Sequence, residues 1–118
     1  MRTSSRSRWC AAALLLAAAP FASAQPKPDG GASISLYDEG RRLFEAKRYD
    51  LACPKFDASL QLNSEDIDVR GMLALCYERA GKLASAWAQF RELRVRAQRA
   101  NRPDPLRVAA ARVARPYS

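Results

Sequence analysis

Histidine is absent from this chain of 118 residues. Its absence removes the commonest general base, the commonest metal ligand and the usual charge switch near neutral pH. Serines are present, but they lack their usual activating base, and no Gly-x-Ser-x-Gly elbow occurs. Glycine is scarce, with five residues in all. None of them builds a phosphate-cradling loop, and Gly30-Gly31 reads as linker. The acidic group Glu65, Asp66 and Asp68 does not match a calcium loop, which needs glycine where Asp68 stands. Carboxylates placed at a helix start account for it. Asp38 and Glu39 are adjacent, so on a helix they point in different directions and cannot act on one substrate. No stretch alternates β-branched residues with polar ones, which argues against a sheet. The chain reads as non-catalytic, with no metal and no cofactor.

Long apolar runs are also missing. The longest, residues 11–19, falls well short of the ~20 residues that span a bilayer. Arg2, Arg6 and Arg8 precede it, Pro20 ends it, and the small-x-small triplet Ala22-Ser23-Ala24 follows. A positive region, a short apolar region and a cleavage triplet in that order make a secretory signal peptide over residues 1–24, with cleavage before Gln25. A permanent membrane helix is the weaker reading. The expected location is the bacterial periplasm or outside the cell, with no transmembrane helix left after cleavage. Cys10 is removed with the signal. Arg8-Trp9 before it do not suit a lipid attachment site.

The charge is unevenly spread. The whole chain carries +8, and loss of the three leading arginines leaves 17 basic against 12 acidic residues. Residues 25–90 hold nine basic and ten acidic groups. Residues 91–118 hold eight arginines against Glu92 and Asp104. The body is near neutral and the C-terminal part is basic.

Residues 25–32 are rich in proline and glycine and read as a flexible linker. Helical periodicity follows. A first helix carries Leu36, Gly40, Leu43 and Phe44 on one face, capped by Ser33 or Ser35. A turn at Arg48-Tyr49-Asp50 leads to a second helix with Leu51, Ala52, Phe56, Leu60 and Leu62, Pro54 lying in its first turn. The segment 63–66 is a turn and N-cap for a third helix bearing Ile67, Val69, Met72, Leu73, Leu75, Cys76 and Tyr77 and ending at Ala80-Gly81. A fourth spans about 83–100, with Ala86, Phe90, Leu93 and Ala97 inward. Asp104 as N-cap and Pro105 begin a short last helix from about 106 to 114. The fold class is all-α.

Shifting the chain by 34 residues superposes Gly40 on Ala74, Leu43 on Tyr77, Lys47 on Gly81, Tyr49 on Leu83, Ala52 on Ala86 and Phe56 on Phe90. A 34-residue helix-turn-helix period is that of the tetratricopeptide repeat. Two antiparallel helices approach closely only where side chains are small, so Gly40 is expected against Ala52 and Ala74 against Ala86. An unrelated helical bundle is the alternative. Residues 37–97 also resemble small exported tetratricopeptide proteins of myxobacteria. The matching words are Ala52-Cys53-Pro54-Lys55-Phe56 with Ser59, Cys76-Tyr77-Glu78 with Gly81-Lys82, and Ala84-Ser85-Ala86-Trp87-Ala88-Gln89-Phe90. Members of that group are often longer at the C-terminus, so a truncated copy is a further reading. The expected organisation is a short α-solenoid with repeats at about 33–66 and 67–100 and a capping helix and tail over 103–118.

Cys53 and Cys76 are the cysteines left after processing. An even count in an exported chain favours a disulfide. A bridge closing about 24 residues contributes about 3 kcal/mol in the chain-entropy picture. Two buried free thiols are the alternative.

The resemblance implies that a peptide or helix of another protein docks on the concave face. The exposed inner positions are then Tyr37, Arg41, Phe44 and Glu45 in the first repeat, with Asp68, Leu75, Glu78 and Arg79 in the second. Neither first helix has an asparagine, which departs from the chaperone-tail clamp of cytosolic relatives. A second functional class rests on the strip Arg91, Arg94, Arg99 and Arg102, suited to lipid headgroups or lipopolysaccharide phosphates. The strip also fits a plain solvated helix face. Export makes nucleic acid an unexpected partner. A homodimer through an uncapped end of the solenoid is a further expectation.

Overall fold

The computed structural model describes residues 30–115. The expected signal peptide with Cys10, most of the expected linker and the last three residues lie outside the described residues. Five α-helices follow one another: α1 (Gly30–Glu45), α2 (Tyr49–Leu62), α3 (Ile67–Arg79), α4 (Leu83–Arg99) and α5 (Pro103–Ala114). No strand occurs among the described residues. The fold is all-α, as the periodicity requires.

Three of the four connections are built alike. Lys47, Gly81 and Asn101 each take a positive φ, of 60°, 78° and 55°. After each, the next amide donates to a carbonyl five residues back: Arg48 to Leu43, Lys82 to Tyr77 and Arg102 to Ala97. This is the left-handed helix ending that satisfies the last carbonyls and reverses the chain in two residues. The remaining connection ends in a side-chain cap. Asp66 Oδ1 accepts the amides of Asp68 and Val69, both at 3.0 Å, so α3 starts where its sequence indicated.

Contacts between helix ends fix the hairpins. Ser33 near the start of α1 meets Ser59 near the end of α2, and Phe44 near the end of α1 packs on Tyr49 at the start of α2. The two helices are therefore antiparallel. Arg70 early in α3 donates to Gln89 in α4, and Glu65 just before α3 pairs with Arg96 near the end of α4. α5 packs mainly on α4. One cluster of buried residues, centred on Phe56, Leu60 and Leu73, joins α2 to α3. A second, centred on Ala86, Phe90, Leu93 and Ala109, joins α3, α4 and α5. Phe56 and Phe90, 34 positions apart, are both fully buried; each such ring contributes roughly 1.5–3 kcal/mol. Cys53 and Cys76 lie where the two hairpins meet. Their Cα atoms are 5.6 Å apart and the sulfurs stand at disulfide-bonding distance.

Several local expectations change. α1 starts at Gly30, so residues 30–32 are helix rather than linker. Ser33 is not a cap. It is buried and donates to the Ser59 carbonyl at 3.2 Å, while Ser59 Oγ donates to the Ser33 carbonyl at 2.8 Å. Two small hydroxyls satisfying each other let the helix ends close without stranding a polar group. α2 starts at Tyr49, which places Pro54 inside the helix and not in its first turn. Pro54 has no N–H for the Asp50 carbonyl. Leu51 and Leu62 face solvent. α5 starts at Pro103, so Asp104 and Pro105 lie in its first turn and Arg102 holds the cap position. Gly40 lies against the Phe56 ring: a Cβ there would stand 2.8 Å from the ring's Cε1. The small residue makes room for the aromatic.

Candidate functional site

Between the first helices of successive hairpins runs an apolar trough of about 310 Å³. α1 contributes Tyr37 to it. α3 contributes Ile67, Asp68, Gly71, Met72 and Leu75, with Phe90 and Leu93 of α4 beneath. α5 supplies the far wall through Pro105 and Val108. Gly71 adds to the depth of the trough, because no side chain rises at that position. A second hollow of about 270 Å³ adjoins it, walled by Ser33, Ile34, Tyr37, Asp66, Asp68 and Val69. Tyr37 and Asp68 line both, so the two form one groove with an apolar trough and a carboxylate-bearing mouth.

Three of the eight positions expected on the concave face line this groove: Tyr37, Asp68 and Leu75. The other five lie outside its walls. Arg41 and Glu45 pair with each other at 3.2 Å in solvent. Phe44 is half-buried between Tyr49 and Phe56, at ring separations of 5.2 and 6.3 Å. The Arg79 guanidinium lies 5.9 Å above the Phe44 ring. Glu78 pairs with Arg112 of α5. These residues hold helices to one another.

The basic strip is divided in the same way. Arg102 pairs with Asp68 at 3.0 Å. Arg91 covers the Trp87 ring at 4.8 Å. Arg94 and Arg99 are exposed. Arg96, between them in sequence, is tied to both Glu65 and Glu92. The strip thus presents two exposed guanidiniums beside others already engaged.

The electrostatics of the groove centre on Tyr37. Burial raises its phenol above the ordinary value and Arg41 opposes the rise, while Asp68, Asp66 and Asp38 add to it. Tyr37 thus shares the groove wall with the carboxylates Asp66 and Asp68. Among the described residues no three potential ligands gather to hold a metal ion. No described helix is long and apolar enough to cross a membrane.

Ile34, Ile67, Met72, Pro105 and Val108 belong to the groove without having been marked by any motif. The available signal was a further step of the same 34-residue shift, which carries Tyr37 to Gly71 and Gly71 to Pro105. The shift sets α5 in the register of α1 and α3, where it lines the groove and packs on α4. Two ion pairs repeat that offset, Asp68 with Arg102 and Glu78 with Arg112. In comparisons with known proteins, no family model, no curated protein and no solved structure matches the chain.

Proposed function

We propose that the chain is a non-catalytic protein-interaction module of the tetratricopeptide type, exported to the periplasm, the cell envelope or the medium, that takes a peptide or helix of another protein in the groove between α1, α3 and α5. The observation that carries this reading is the apolar trough shared by the first helices of successive hairpins. Val108 is 46% exposed there, opposite half-buried Tyr37, Met72 and Leu75. Apolar side chains left open along a concave surface suit a partner's side chains better than a small polar substrate. The signal-like N-terminal pattern supports the compartment. The absence of histidine in the sequence supports a binding role rather than catalysis.

A photo-crosslinking amino acid at Val108, compared with one at exposed Leu62 on α2, tests the reading in cells producing the full chain. A discrete adduct from position 108, absent from position 62 and retained at high salt, is expected. Equal labelling from both positions, or adducts that salt abolishes, would count against the groove.

A further inference from the structure

Resting on that reading, we propose that the occupant of the groove is a peptide segment with a large apolar side chain close to a lysine or arginine. The apolar side chain fills the trough between Met72, Leu75 and Val108, and the cation meets the carboxylates at the mouth. Two features set this preference.

The first is the continuity of the apolar surface. Ile34 is 61% exposed at the mouth and Val108 is 46% exposed in the trough, with Tyr37 between the two hollows. A ligand lying along the groove therefore passes the carboxylates and the apolar wall together.

The second is the balance of charge at the mouth, counted from every element around it. α3 presents Asp68, and the residue that caps it presents Asp66. α1 adds Asp38, next to Tyr37 in sequence, whose charge reaches the Tyr37 hydroxyl. Against them stand Arg102, already paired with Asp68, and Arg41, already paired with Glu45. The N-terminus of α3 adds a partial positive charge, and Asp66 absorbs it by accepting two of the free amides. Asp38 takes part in none of the seven ion pairs among the described residues. The mouth keeps a negative excess on a chain whose net charge is +8. An acidic ligand would meet carboxylates and find the nearby guanidiniums occupied. A basic ligand meets Asp38 and Asp66, which take part in none of the ion pairs among the described residues, and gains attraction there.

The test is selection of random displayed dodecapeptides on the full chain, followed by affinity measurement on the synthetic winners. Winners that join an apolar residue to lysine or arginine are expected. Their binding should weaken about tenfold with Asp38→Asn, Asp66→Asn and Asp68→Asn combined, at roughly twofold or more per charge. It should be lost with Val108→Arg. Asparagine still caps a helix, so Asp66→Asn keeps α3 started. Should the triple variant melt early, Asp38→Asn alone, at a position outside any cap or ion pair, is expected to weaken binding two- to threefold. Winners without a cation, or with acidic residues, that Val108→Arg still abolishes would overturn this preference and leave the interaction module standing. Winners indifferent to Val108→Arg would overturn both.

Discussion

The two hairpins share a scaffold and differ in what fills it. The first is held by rings. Tyr37, Phe44 and Tyr49 gather on Phe56, and the far end is closed by the Ser33–Ser59 pair. The second has fully buried Ala74, Ala86 and Phe90 at its centre and is laced outside by guanidiniums. Arg70 donates to Gln89 at 2.8 Å and to the Ser64 carbonyl at 3.0 Å, and Arg96 joins Glu65 to Glu92. The period fixes backbone geometry and the small positions, whereas the outer packing is free to be aromatic or ionic. Much of the basic excess of the C-terminal part is consequently structural. Arg96, Arg102, Arg107 and Arg112 all hold carboxylates.

The largest expected effect concerns the junction between the hairpins. Replacing Cys53 and Cys76 by alanine should lower stability by about 3 kcal/mol, read from denaturant unfolding under oxidising conditions. Loss of two-state behaviour in that variant would show the hairpins to be separate cooperative units. Within the second hairpin, Arg70→Leu strips the Gln89 side chain and the Ser64 carbonyl of a donor and should cost about 2 kcal/mol. A neutral result would break the contrast, because the second hairpin would then rest on its apolar core alone. Within the first, Gly40→Ala drives a methyl into the Phe56 ring and should cost about 1–2 kcal/mol net of helix propensity. Gly71→Ala, whose Cβ meets only Leu93 at 3.8 Å, should instead gain about 0.5–1 kcal/mol. Equal melting temperatures for the two variants would mean that the ring at Phe56 yields freely.

Smaller effects sharpen the same comparison. Lys47 and Gly81 occupy equivalent turn positions with positive φ, and only the second has the residue suited to it. Lys47→Gly should raise stability by about 0.5–1 kcal/mol. Last, the hydrogen bond and charge of Arg96 hold the Glu65 carboxyl below its usual 4.5. A lowered folded value means that the stabilisation is present above the ordinary carboxylate range and fades as pH falls through it. Glu65→Gln should therefore lower the melting temperature slightly at neutral pH and leave it nearly unchanged at low pH, so that its pH dependence flattens.

Much of the fold was legible because its determinants are local. Gly81 and Asp66 mark a turn and a cap within a few residues of themselves, and the 34-residue spacing of Phe56 and Phe90 marks buried positions. What stayed hidden was non-local. A serine in a first turn reads as a cap unless its partner 26 positions away is known, and Ser33 has that partner in Ser59. Pro54 was misplaced because the helix start before it moved forward to Tyr49. For the groove, Tyr37, Asp68 and Leu75 were among the inner positions that the resemblance implied. Phe44 and Glu78 were among them as well, yet they are spent on Tyr49, Phe56 and Arg112, which only packing reveals. Val108 and Pro105 were obscured because α5 lacks the aromatic and small-residue words of the earlier units.

The location of the cysteine pair has a consequence for the order of assembly. Each hairpin closes through a two-residue reversal and short-range contacts, events that run in microseconds. The cysteines belong to different hairpins and meet only across the α2–α3 boundary. Their oxidation therefore requires the two hairpins to be brought together, and its rate during refolding reports that docking.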